Sequence, residues 1–110
     1  MEKNLRRSIQ RKLDKYGVFH VPGSVLIRGC PDILCCYQGL FIGIELKMPG
    51  RKPTPSQEAM LRRIRKCGGF AAVVESSAEF DAFWEEMERF WKDQQTLVNR
   101  LFSPVHPTEG

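Results

Sequence analysis

The chain has 110 residues, 42% of them hydrophobic and 27% charged, with a formal net charge of +4. That length fits one domain with a single core, and no apolar run approaches the roughly 20 residues of a membrane helix. Its 4 cysteines form no CxxC pair and have no histidines at zinc spacing, so they read as reduced, mostly buried thiols of an intracellular protein. The charged, amphipathic start reads as a helix rather than a secretory signal.

In chain order, Leu5, Ile9, Leu13 and Tyr16 recur at three- and four-residue spacing, which predicts an amphipathic helix from Glu2 to Tyr16, stopped by Gly17. Val18 to Val21 reads as a short strand, Pro22-Gly23 as a turn, and Val25 to Arg28 as a further short strand or extended approach to Gly29. A hairpin follows, with Ile33 to Tyr37 turning at Gln38-Gly39 into Phe41 to Lys47. Met48 to Pro53 is a basic loop rich in Pro and Gly. Thr54, Pro55 and Gln57 then make a capping box for a second helix with Met60, Leu61, Ile64 and Cys67 as its buried stripe. Phe70 to Val74 reads as a strand buried on both faces, parallel to Phe41–Lys47 after a helical crossover. A second capping box, Ser76 to Glu79, opens a long acidic helix with Phe80, Phe83, Trp84, Met87, Phe90, Trp91 and Leu97 on its apolar positions. Residues 1–101 are expected to form one domain and residues 102–110 a loose tail. The order predicts an α/β fold with a mixed sheet flanked by helices.

Charge is unevenly spread. Residues 1–70 carry 14 Lys or Arg against 5 Asp or Glu, whereas residues 71–110 carry 3 against 8. A basic half suits a polyanion, because affinity for nucleic acid comes largely from phosphate neutralisation. A solvated charged surface explains the same imbalance.

The hairpin concentrates the chemistry. Phe41 to Lys47 alternates, so Glu45 and Lys47 share a face opposite Ile42, Ile44 and Leu46. A turn centred on Gln38-Gly39 pairs residues whose numbers sum to 77 and sets Asp32 across from Glu45, with Cβ atoms roughly 5 Å apart. Two carboxylates that close repel unless a cation lies between them. Asp32 and Glu45 are the oxygen donors that Mg²⁺ or Mn²⁺ prefers, and the Leu46 carbonyl adds another. Lys47 is placed to orient or deprotonate a water, or to stabilise a pentacovalent phosphate. A cross-strand salt-bridge network accounts for the same three residues.

Gly29-x-Pro31-Asp32, then Ile44-Glu45-Leu46-Lys47, a basic Pro/Gly loop, the Thr54-Pro55-x-Gln57 helix start and Gly68-Gly69 before an apolar strand resemble the VRR-NUC branch of the PD-(D/E)xK nucleases. The resemblance runs from Glu2 to about Ser76. It implies the restriction-endonuclease-like fold and a metal-dependent DNA endonuclease acting on branched or otherwise structured DNA such as a Holliday junction. Its cofactor would be Mg²⁺ or Mn²⁺, and its setting the cytoplasm of a bacterial cell or phage-infected host. Asp32 and Glu45 would bind metal, Lys47 would be catalytic, Gln57 would be the motif glutamine, and Glu2 would complete the metal cluster. Arg6, Arg28, Arg51, Lys52 and Arg62 are the candidate DNA contacts. Many family members carry an Arg-x-Asn element where this chain has His20-Val21-Pro22-Gly23-Ser24, so that either the contacts of that asparagine are absent or Ser24 replaces them. Symmetric incision of a junction needs two sites and the chain supplies one, so a homodimer is expected, with the apolar side of the C-terminal helix as its interface. The rival reading is a non-catalytic nucleic-acid-binding module on a nuclease scaffold.

Overall fold

A computed structural model describes residues 2–102 of the chain, with side chains described over residues 4–101. The chain is α/β, with a four-stranded mixed sheet flanked by helices. The order is α1 (Glu2–Lys15), β1 (Phe19–Pro22), β2 (Ile33–Tyr37), β3 (Leu40–Leu46), α2 (Pro55–Lys66), β4 (Phe70–Val74) and α3 (Ser77–Phe102). It divides into two compact units, Met1–Phe80 and Asp81–Gly110. The first holds the whole sheet, α1, α2 and the opening turn of α3. The second, over its described residues, is the remainder of α3. Of the expected tail, 102–110, residue 102 instead closes α3, and 103–110 lie outside the described residues. Among the described residues no helix is long and apolar enough to cross a membrane.

Turn chemistry fixes the register of the hairpin. Gln38 (φ 52°) and Gly39 (φ 81°) both take the left-handed region, the requirement of the two-residue turn whose twist matches that of the flanking strands. Tyr37 therefore pairs with Leu40 and Ile33 with Ile44, the register expected from the sequence. β1 is antiparallel to β2, and β4 is parallel to β3, giving the sheet order β1-β2-β3-β4.

With β3 inside the sheet, its burial is nearly complete from Ile42 to Leu46. Ile33, Cys35, Ile42, Ile44 and Leu46 are all at most 2% exposed on one face, and α1, which packs on β1 and β3, buries Ile9 and Leu13 completely. Full burial of such aliphatic side chains is worth roughly 1.5–3 kcal/mol each. On the other face α2 covers β3 and β4. Leu61, Ile64 and Ala71 form a small core there with Met60 and Val73 against it, and a side chain in place of Gly43 would collide with Ile64 and Pro31. A hydrogen bond between the Ser8 and Ser77 hydroxyls (2.8 Å) ties α1 to the start of α3.

Several local expectations change. Val25 to Arg28 is a pair of successive turns rather than a strand, because Ile27 N–H donates to the Ser24 carbonyl and Cys30 N–H to that of Ile27. β4 lies at the sheet edge, so Ala72 and Val73 are only half-buried where burial on both faces was expected. Cys35 alone of the cysteines is buried. Cys36 points to the opposite side and is exposed, as is Cys67, which caps the end of α2 instead of joining its buried stripe. Phe19, Cys36 and Phe41 stand side by side across three strands as an exposed row. At the start of α3, Ser76 accepts the Glu79 N–H as expected, but Glu79 reaches past Ser76 to accept the N–H of Glu75 (2.7 Å).

Candidate metal centre

The hairpin, α1 and the start of α2 bring the candidate residues together at one end of the sheet. Asp32 stands one residue before β2, Glu45 is the sixth residue of β3, and Lys47 follows the last. Continuing the β2–β3 register puts Pro31 across from Leu46. Proline has no N–H to offer across the sheet, and the strand partnership ends there. In its place the Leu46 N–H donates to Asp32 Oδ2 at 2.8 Å, which locks the Asp32 carboxylate against β3. In a strand the carbonyl of a residue shares the edge of its N–H, which for Leu46 is the β2 side.

Glu45 is the one buried charged residue among the described residues, at 2% exposure. Its Oε2 meets Lys47 Nζ at 3.2 Å, while its Oε1 is buried with no hydrogen-bond partner. An orphaned carboxylate oxygen in the interior is costly. Burial first, and then the nearby Asp32 carboxylate, push the Glu45 carboxyl up from 4.5 to about 7, against the lowering pull of Lys47. The carboxyl of Glu45, close enough to Asp32 to be raised by it, has an unpartnered Oε1 and is short of positive charge. Two acidic oxygens that destabilise one another and one of which lacks a partner fit a hard divalent cation. Among the described residues no three His, Cys, Asp or Glu side chains converge on one point. The side chain of Glu2, the third expected ligand, lies outside the described residues.

Arg6 has a place the sequence did not suggest. Expected on phosphate, it reaches from α1 to Asp32 instead, with its guanidinium 3.3 Å from both Oδ1 and the main-chain carbonyl. A helix residue 26 positions away in sequence is brought there by packing of α1 on the sheet, and no local pattern carries that information.

Gln57 sits where its local chemistry puts it. Its Oε1 accepts the Thr54 N–H at 2.9 Å and its own N–H donates to Thr54 Oγ1 at 3.2 Å, a complete capping box. It also lines an open groove of about 760 Å³ shared with Arg6, Arg28, Ser24 and Asp32. Arg28 thus lines the same groove as Asp32. Arg62 does not: it lines a separate groove of about 430 Å³ with Glu58 and Arg65. Arg51 and Lys52 are exposed in the loop after β3. Ser24 accepts the Leu26 N–H at 3.1 Å, a role within its own loop. His20 binds Asp14 at 2.7 Å, a structural tie between β1 and α1. Burial, with a smaller contribution from Cys36, pushes the Cys35 thiol up to about 12, so it remains an un-ionised core group.

The fold and site define an α/β domain with a lysine-paired carboxylate cluster at one end of a mixed sheet, beside an arginine-bearing groove. No family model, curated protein or solved structure matches the chain.

Proposed function

We propose that the chain is a metal-dependent DNA endonuclease of the VRR-NUC type, within the PD-(D/E)xK superfamily, that hydrolyses phosphodiester bonds in branched or otherwise structured DNA. The observation that carries this reading is the buried, partnerless Glu45 Oε1 on a carboxyl that feels Asp32 and holds Lys47 on its other oxygen. A buried acidic oxygen without a partner is costly, and a divalent ion held there offsets that cost. Asp32, Glu45 and the Leu46 carbonyl would hold Mg²⁺ or Mn²⁺, with Glu2 as the further ligand implied by the resemblance. The ion supplies charge neutralisation at the attacked phosphate and an activated water.

The protein groups divide the remaining work. Asp32 is oriented by the Leu46 N–H and Arg6. Lys47, an ammonium held at 3.2 Å from Glu45, donates to the attacking water or to a phosphate oxygen as negative charge develops there. Arg28 draws the backbone into the groove, and Arg51 and Lys52 extend the cationic surface beyond β3. Purified protein with Mg²⁺ or Mn²⁺ is expected to cut at least one of a labelled panel of junction, flap, nicked, double-stranded and single-stranded DNAs. Lys47→Ala should abolish cleavage while leaving the fold intact, at a lowered thermal midpoint because Glu45 loses its cationic partner. Full activity in that variant would remove the mechanism.

One observation favours a second reading, the non-catalytic DNA-binding module. Arg6 already places a cation on Asp32, which is what a site that has given up metal would retain. The two readings separate on metal titration followed by thermal unfolding. A nuclease gains stability with increasing Mn²⁺ and loses that gain in Asp32→Asn, since a ligand that binds only the folded state raises its stability. A binding module shows no dependence on the ion.

A further inference from the structure

The loop between β1 and β2 exposes its aliphatic residues and half-buries its anchors. Val25 is 97% exposed, Leu26 91% and Ile27 51%. Three consecutive aliphatic side chains in water are unusual on a protein surface unless they serve binding. They are not the apex of a loose segment. Gly23 N–H donates to the Asp32 carbonyl at 2.9 Å, and Ser24 accepts both from Leu26 N–H, through its hydroxyl, and from Ile27 N–H, through its carbonyl. At the far end Gly29 (φ 76°) lies so close to the first turn of α2 that a Cβ there would stand 2.3 Å from the Ser56 carbonyl oxygen. The loop is therefore tied to the Asp32 strand at one end and to α2 at the other, with Val25 and Leu26 held outward between them.

The surroundings select the partner. Val25, Ile27 and Arg28 line the same groove as Arg6 and Asp32, and residues 15–31 contain no Asp or Glu. The one acidic residue lining the groove, Asp32, is paired with Arg6, which leaves the exposed Arg28 to attract an anionic backbone to this rim. Aliphatic side chains cannot hydrogen-bond to base edges, but they do enter and part base steps, at a cost that is smallest where stacking is already broken.

We propose that Val25 and Leu26 form an apolar wedge that enters an interrupted base step of branched or nicked DNA, while Arg28 holds the adjoining phosphate and the strand passes to Asp32 and Glu45. The proposal rests on the nuclease reading of the site and names what would set its substrate class: a discontinuity in stacking rather than a base sequence.

The test is binding in EDTA, so that cleavage plays no part. Fluorescein-labelled four-way junction, nicked duplex and intact duplex of matched length are titrated with the full chain, with 2-aminopurine beside the discontinuity to report unstacking. The wild type is expected to bind junction and nick at least about tenfold more tightly than duplex and to raise 2-aminopurine emission. The double substitution Val25→Ser with Leu26→Ser should keep duplex affinity within about twofold, lose the preference and leave the emission flat. Both positions are exposed, so an unchanged thermal midpoint is expected, and Leu26→Ser alone should give an intermediate preference. A preference or an emission rise that survives the double substitution overturns the wedge. So does a fall in oligomeric mass in that variant, which makes the loop a contact between copies. Preference without cleavage in Mg²⁺ or Mn²⁺ sinks the nuclease reading and leaves the wedge standing, whereas cleavage without preference does the reverse.

Discussion

Glu45 is where burial and charge conflict. Its carboxyl is pushed up from 4.5 to about 7, chiefly by burial and next by Asp32, so in the absence of metal the folded chain binds an extra proton between those values. The sign follows from linkage: the folded state holds more protons than the unfolded chain, and stability falls as pH rises. Relative to Glu45→Gln, which keeps the shape and cannot ionise, the wild type should match in stability below about pH 4.5. It should lose up to about 3 kcal/mol by pH 7.5. Urea unfolding in EDTA at pH 4.5 and 7.5 measures the difference, and saturating Mn²⁺ should recover most of the loss at the higher pH in the wild type alone. A wild type that gains stability on the variant over that interval would show Lys47 to be sufficient compensation. At this scale the sequence revealed the face shared by Glu45 and Lys47 and the opposition of Asp32, because strand alternation and a two-residue turn are local rules. It did not reveal Arg6 on Asp32, which depends on how a distant helix packs.

Among the elements, α2 has the clearest division between structural and chemical duty. Gln57 closes the capping box through Oε1 and lines the groove beside Asp32. Gln57→Glu preserves the box, whereas Gln57→Ala removes one of its two hydrogen bonds and should cost about 1 kcal/mol. If the residue serves the site, Gln57→Glu also loses cleavage at unchanged thermal midpoint, since it places a third carboxylate near Asp32. If it serves only the helix, Gln57→Glu cuts normally. The start of α2 was legible because Thr54, Pro55 and Gln57 each have a specific steric or hydrogen-bonding reason to be there. Val25 to Arg28 was not. Its β-branched and aliphatic composition suits a strand, but hydrogen bonds to Ser24 and Ile27 close it into turns and no sheet edge receives it. The same limit applies to β4: an apolar run reads alike at the centre and the edge of a sheet, and only the strand order separates them.

At the scale of the whole molecule, the basic half built from residues 1–70 contains every proposed DNA contact, and α3 makes up most of the acidic half. DNA binding should therefore weaken steeply with salt, as phosphate neutralisation releases counterions. The second half of α3 exposes Phe90, Leu97, Val98 and Leu101, an apolar stripe on which the proposed homodimer rests. Light scattering should give twice the chain mass for the wild type and the chain mass itself for Leu97→Glu with Leu101→Glu. A variant that remains dimeric would move the interface to another apolar surface, of which the row Phe19, Cys36 and Phe41 is the most exposed in the sheet. The central claim is reached more directly by catalysis. Supercoiled plasmid incubated with purified protein and Mn²⁺ should be converted to nicked and linear forms by the wild type, and by neither Lys47→Ala nor the wild type in EDTA. Equal conversion by Lys47→Ala, or none by the wild type on plasmid and branched DNA alike, would contradict the account.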